Sequence, residues 1–538
     1  MADAFYDYNN GSSGNSGLTE LLPKATRQQA VAVAGAGDNC YALDGIHVHE
    51  SSHFDFDEDV KDRSLNFRGA TLRSGGAESV RVARFSSGLA VIDNPIIMEG
   101  FVFDAPGSNS GSGVQRAFEF PALALDLTVQ FHNCEFINGS TYGLFYTQSQ
   151  GRLELVNCKF SGTLPSGAGA PISLTTSLSS AGNQVVDIQG IEFDLTEISS
   201  DKSLLVVQQV GTPSNTLDAY IKSVRGTLAI SGATTNVTFI KCQTKDTINI
   251  ANCNFTVNAN DNLTDTDGSV VAILAIGNSS GNESSDVNIT NNIVNYFSPA
   301  GFALSYGQST VDGHITGGLV AGNSVTGKYY ALDTPHNILM GQGTAGDCKG
   351  NFSRDGFVGI LLSITDSCNC TGNTVLDCYG PSLYAKGTTA ATVKDNICMV
   401  TGKYTQRNLG ILSVAPQGAT NTTAVTFQEN LVIVQDITKI HSLAYIEDAS
   451  QACTFIRNTY ILPDTVDIDT AALFSYESGL AGQAANNTLA EWNAQSEVTD
   501  DVIITMPVAQ IEAMIAANTP ATGSGTGSNQ IISNNIIS

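Results

Sequence analysis

The chain has 538 residues, with 25 Lys and Arg against 51 Asp and Glu and a formal charge of −26. That acidity excludes nucleic acid as a partner, because contact with phosphates needs a basic surface, and it opposes polyanionic sugars unless cations or a local basic groove intervene. No run approaches the roughly 18 apolar residues of a membrane span, and a charged fraction of 14% with 52 glycines suits one stacked β-surface with many turns rather than several globular domains.

The first 64 residues read as an N-terminal segment and cap. The start, "MADAFYDYNNGSS", has neither a charged n-region nor an apolar h-region. The expectation is a chain made and assembled in the cytoplasm, with a leader removed before this numbering as the alternative. A short helix is predicted around Arg27–Ala34, stopped by Gly35 and Gly37. "HVHESSH" sets His47 and His49 on one side of a strand near His53, a pattern that suits a metal, but the segment occupies an ordinary entry strand and is read as a solvated one. Asp55, Asp57, Glu58, Asp59 and Asp62 form an acidic loop where calcium is the alternative occupant.

Residues 65–485 carry the main pattern. In "INIANCNFTVN", Ile248 and Ile250 alternate with polar residues as in a half-buried strand. The apolar phase then slips by one, onto Cys253, Phe255 and Val257. A continuous strand cannot slip so without turning its side chains to the other face. Two short strands meeting at a two-residue corner can, with one corner residue left-handed, the conformation Asn and Gly tolerate best. The slip recurs roughly every 30 residues, a solenoid period. The inward position after the corner is small or an amide: Cys134, Cys158, Cys253, Asn292, Asn323, Asn351, Asn373, Asn396, Asn430 and Asn458, with Asn535 at the end. Stacked about 4.8 Å apart, such amides can bond the copies above and below. In the longest interval, Asp261, Asp265, Asp267 and Gly268 approach a calcium-loop spacing, but Leu263 stands where a ligand is required.

Residues 486–538 read as a C-terminal cap. It holds Trp492, the one Trp, then a helix with Val508, Ile511 and Ile515 on one face, Pro507 in its first turn and Pro520 beyond its end, and last a rung-like strand "QIISNNIIS". Of the 11 Cys, eight fall on inward positions (134, 158, 253, 348, 368, 370, 398 and 453), where they act as small buried hydrophobes. The odd count and this placement argue for reduced thiols rather than a disulfide framework.

The slipped repeat, its inward Asn ladder and a late Leu-x-x-Trp-like segment, "NTLAEWNAQ", resemble the right-handed parallel β-helix, or pectate-lyase-like, superfamily over about residues 20–538. The resemblance implies an all-β, single-stranded solenoid of about 14–15 rungs, with a short N-terminal capping helix and a C-terminal helix and strand cap. That scaffold carries many activities. The match most resembles virion-surface members such as phage tail fibres and tailspikes, which implies host-surface glycan recognition and attachment, a homotrimer, contact with other virion proteins and a place on the virion. A polysaccharide lyase or glycoside hydrolase (a depolymerase), extracellular if free, is one alternative. A structural virion decoration protein is another.

No catalytic pair is legible. Tyr329, Tyr330, Asp333 and His336, with Arg354 and Asp355 one rung later, are the candidate glycan-binding residues, since aromatic faces suit sugars and glycoside cleavage needs two facing carboxylates. No cofactor is expected beyond the calcium alternative, and no metal site is assigned. The outward positions Ile397, Met399, Leu431, Ile433 and Ile461 form an apolar stripe that needs a cover: a second copy of the chain, or the chain's own helix face of Val508, Ile511 and Ile515.

Overall fold

The computed structural model describes residues 3–520 except 36–37, 44, 50–53, 56–65, 69, 75–80, 85–94, 105–115, 124–125, 138–141, 149–150, 163–170, 177–181, 196–201, 210–215, 231–236, 260–269, 278–285, 308–314, 331–334, 342, 345, 408, 418–419, 448–451 and 478–483. The acidic loop after Asp55, the Asp261–Gly268 stretch, Asp333 and the final "QIISNNIIS" therefore lie outside the described residues, as do the side chains of His47 and His49. The chain divides into two compact units, Met1–Asn249 and Ile250–Ser538. Each is a parallel β-solenoid built of three stacked sheets.

In the first unit, short strands pair in register with the strand of the next turn, as in Val129↔Leu153 and Phe131↔Leu155, then Leu153↔Val186 and Leu155↔Ile188. In-register pairing brings like side chains over one another. Phe103, Phe136, Phe160 and Phe193 form one such column, with centroid separations of 5.2, 4.7 and 5.7 Å. The corners take the form the slipped alternation predicts. Asn133 and Asn157 have φ of 54° and 52°, and each precedes a buried Cys. The Cys134 and Cys158 thiols donate back to the Met98 and Phe131 carbonyls at 3.5 and 3.3 Å. The N-terminal helix spans Arg27–Val31, three residues short of the expectation. Thr26 caps it by accepting from the Gln29 N–H, and its last residues turn off at Ala32.

In the second unit the left-handed corner residue is Asn252, Asn291, Gly322, Gly350, Gly372, Asp395, Glu429 or Arg457 (φ 51–65°). Glu429 and Arg457 hold this conformation without the ease of Gly because their N–H groups are fixed in the ladder, donating to the Ile456 and Thr499 carbonyls. Each following Asn is buried and donates twice to the amide oxygen of the next. Asn292 reaches Asn323 with its backbone and side-chain nitrogens at 3.0 and 2.9 Å. The series runs on through Asn351, Asn373, Asn396 and Asn430 to Asn458. It begins at Cys253, whose N–H donates to the Asn292 amide oxygen at 2.9 Å. Its last acceptor is not an amide but the buried carboxylate of Asp501.

Near its end the second unit departs from a plain stack. Phe474–Glu477 pairs antiparallel with Ala484–Asn487. A short helix, Leu489–Asn493, follows with a Thr488/Glu491 capping box. It buries Trp492, stacked on Phe474 at 5.0 Å. The last helix spans Val508–Asn518 with Pro507 at its N-cap, one place before the expected first turn. Ile511 and Ile515 pack on Met399, Ile433 and Ile461, with Ile397 and Leu431 partly buried against the same cluster. The apolar stripe is thus covered within the chain by its own last helix, the second of the two expected covers. Val508, predicted on the buried face of that helix, is instead exposed. No helix among the described residues is long and apolar enough to cross a membrane.

Candidate functional site

The second unit brings chemistry together on one side, where the chain crosses from the sheet after the corner to the third sheet. Four crossings follow the strands Ser324–Thr326, Phe352–Arg354, Thr374–Leu376 and Ile397–Val400. They run into His336–Met340, Val358–Ser363, Leu383–Lys386 and Gly410–Ala415. Because these strands pair turn on turn, the crossings stack as well.

Each crossing contributes an aromatic ring. Tyr329 stacks on Tyr404 at 4.8 Å with the rings 8° from parallel, and Tyr379 meets it edge-on at 4.8 Å. Phe357 joins from the intervening turn, 5.6 Å from Tyr379. It also stands edge-on to His336, at 6.1 Å. Gly380 makes room for it, since a Cβ there would lie 2.7 Å from the Phe357 ring. Tyr379 is buried, whereas Tyr329 is 38% exposed and leads the cluster into solvent.

Charged groups frame the rings. Asp355 and Asp377 occupy the same place in consecutive turns, both left-handed at φ 57° and 52° and both buried. Asp355 accepts from Arg354 Nε at 2.8 Å and from Lys403 Nζ at 2.7 Å. Asp377 accepts from the Thr401 N–H and hydroxyl at 2.7 and 2.9 Å. Burial, with the Asp355 charge adding to it, raises the Asp377 carboxyl above the usual range, against the Thr401 bonds. Lys403 Nζ also lies 4.8 Å from the Tyr404 ring centre, and Lys328 Nζ 5.2 Å from that of Tyr330. Arg407 donates to the Tyr330 carbonyl at 3.5 Å and lies 5.4 Å over Phe357. His336 is walled by Phe302, at 5.2 Å, and Phe357. Burial and then the Lys386 charge lower it to about 4.

Five of the six candidate residues stand at this cluster, while Asp333 lies outside the described residues. Tyr329 is the open platform. Tyr330 is buried and offers its carbonyl to Arg407 rather than a free ring face. Arg354 and Asp355 form an ion pair, and His336 sits at the far end of the aromatic row. Sequence reasoning missed Phe357, Asp377, Tyr379, Lys403, Tyr404 and Arg407. The signal was an aromatic three or four residues past each of the four strands, including the repeated Lys-Tyr at 328–329 and 403–404. Among the described residues no group of three or more His, Cys, Asp or Glu stands as a metal site.

No protein-family model matches the sequence, and no curated protein matches it. Among solved structures, the tailspike protein of Escherichia coli bacteriophage HK620 in complex with a pentasaccharide is similar over 84% of this chain and 74% of that chain, at 15% identity and a TM-score of 0.41. A double mutant of that tailspike with the pentasaccharide covers 88% and 76%, at 14% identity and a TM-score of 0.41. A second double mutant covers the same shares at 15% and 0.42. These likenesses carry no residue role or activity over to this chain.

Proposed function

We propose that the chain is a virion-surface β-solenoid of the tail-fibre or tailspike type that binds a host-surface polysaccharide at the four-turn cluster. One observation carries the reading: Tyr329, more than a third exposed, is stiffened by a parallel stack on Tyr404 in a setting of hydrogen-bonding charged groups. A rigid tyrosine face packs on the apolar face of a sugar ring, and nearby polar groups fix its orientation. Two of the similar tailspike structures hold a pentasaccharide, which agrees with the proposal without adding weight to it. Homotrimer formation, contact with other virion proteins and location on the virion belong to the same proposal, which assigns no cofactor. Binding to a panel of bacterial envelope polysaccharides tests it: wild type binds at least one, and Tyr329→Ala binds it more weakly with the melting temperature unchanged. If no member binds, the reading fails. Light scattering tests the trimer, and co-sedimentation with virions tests the location.

A depolymerase is the second reading, favoured by one contrast. Asp377 is pushed toward its neutral form by burial, while Asp355 is bonded to two cations. Carboxylates in unlike settings are how an acid and a base are separated. New reducing ends or unsaturated uronate absorbance after incubation with the bound polysaccharide distinguish cleavage from binding alone.

A further inference from the structure

We infer that the glycan taken at this site is acidic, a polysaccharide whose sugars carry carboxylate groups, and this rests on the glycan-binding reading of the cluster. The whole chain has 25 basic against 51 acidic side chains, yet residues 328–407 carry seven Lys and Arg against six Asp and Glu. The excess is placed at the crossings. Lys328, Arg354, Lys403 and Arg407 surround the ring cluster, and the Lys386 charge reaches His336 from two strands away in the same sheet. The described acids packed there are Asp355 and Asp377, with Asp436 beside Gly402. Asp355 is taken up by Arg354 and Lys403, and Asp377 leans toward neutrality.

The geometry turns this balance toward the platform. Lys403 is 44% exposed and lies over Tyr404, the ring that backs Tyr329. Lys328 is exposed and is the chain neighbour of Tyr329. One ammonium thus lies over Tyr404, the inner member of the stacked pair, and the other over Tyr330, the residue that follows Tyr329. A carboxylate on a sugar laid on Tyr329 would enter the field of both. In a chain of charge −26, a neutral glycan needs no such reversal, whereas a polyanion needs local cations to offset the repulsion of the whole. The local cations therefore set where along the chain an acidic polymer is held.

The test uses full-length protein and bacterial capsular polysaccharides that contain uronic acids, each paired with the same polymer after its carboxyls have been reduced to alcohols. Calorimetry is run at low and high NaCl with wild type, Lys328→Gln, Lys403→Gln and Tyr329→Ala. The expected result is binding to an acidic polymer that weakens about 10-fold or more on carboxyl reduction and again as salt screens the charges. Each Lys→Gln change lowers affinity for the acidic form several-fold, and by a larger factor than it lowers any residual affinity for the reduced form. Lys328→Gln, which leaves the Asp355 ion pairs intact, decides the matter if Lys403→Gln is unstable. Equal binding of the two forms, or no effect of Lys328→Gln, overturns the acidic assignment and leaves glycan binding standing where Tyr329→Ala weakens it. Absence of binding to every polymer in both forms, and to the wider envelope panel, overturns both.

Discussion

Asn458 donates its backbone N–H and its side-chain amide to the same carboxylate oxygen of Asp501, at 2.8 and 3.1 Å. The other oxygen accepts from the Tyr460 hydroxyl and from the Trp492 indole N–H, each at 3.1 Å. Burial raises the Asp501 carboxyl, against these four bonds. One carboxylate therefore ends the amide ladder and anchors the helix that follows it. Asp501→Asn keeps an acceptor for Asn458 but turns an NH2 group toward the indole N–H. A buried donor left unpaired costs about 1–3 kcal/mol. Urea unfolding followed by the emission of Trp492, the one Trp, measures the loss. A stability equal to wild type would mean that the carboxylate is not the ladder's end.

The Ile511 and Ile515 side chains seal Met399 and Ile433, both fully buried. Ile433→Asp places an unpaired charge there and is expected to cost about 3 kcal/mol or more. The helix should come loose first, so limited proteolysis should cleave within 507–519 while β circular dichroism persists. Val502→Asp, at a site 43% exposed, is the control and should shift stability by no more than about 0.5 kcal/mol.

The stacked tyrosines are separable from the core. Tyr329→Ala and Tyr404→Ala are each expected to weaken polysaccharide binding about 10-fold or more, as loss of an aromatic anchor does. Tyr379→Ala should also lower the melting temperature, because that ring is fully buried. A Tyr329→Ala protein that binds as wild type does would place the ligand elsewhere.

Acid should act through two groups in two windows. His336 has its pKa lowered to about 4, against roughly 6.5 in an unfolded chain. Between these values the unfolded chain holds the extra proton, so stability falls as pH drops from about 6.5 toward 4. His336→Phe, an apolar ring between Phe302 and Phe357, should flatten that part of the profile. Glu429 is held at about 2 by Arg457 and Lys394. Its contribution is present above its unfolded value of roughly 4.3 and is lost as pH falls through 2. Melting temperatures from pH 7 to 2, for wild type and His336→Phe, separate the two.

All 11 cysteines are buried thiols with no disulfide among them. Thiol titration of unreduced protein in denaturant should find 11. The folded protein should react slowly, since burial raises even the Cys453 thiol to about 11 and the thiolate is the reactive form. A titre of one would mean five disulfides and would overturn the inward placement.

The corners were legible because a parity slip has few physical causes. Asn252 follows Ile248 and Ile250 and precedes Cys253, and it stands at φ 56° as the slip requires. The end of the ladder was not legible, because an Asp replaces Asn at 501 and 43 residues separate it from Asn458, with a hairpin and a helix between. The apolar stripe was legible as something needing a cover. Which cover it takes depends on where the last helix docks, and no local pattern encodes that. The site was half legible. Tyr329, Arg354 and Asp355 lie close in sequence, but Tyr379 and Tyr404 join them only through stacking of turns of unequal length.

Successive partners in the amide ladder are 31, 28, 22, 23, 34 and 28 residues apart. The bond between them is 2.9 Å in every case. Each amide also reaches back to a carbonyl of the preceding turn, as Asn323 does to Ile289 at 2.8 Å. The ladder thus works as a ruler that counts turns and ignores contour length. Residues can be added to or removed from a crossing without altering the pitch, so the crossings are free to be rewritten loop by loop on an unchanging frame. The same device forbids a partial step. A turn shifted by one rung would leave one amide with no acceptor and another with two claimants, so errors of registration during folding are penalised at every level of the stack.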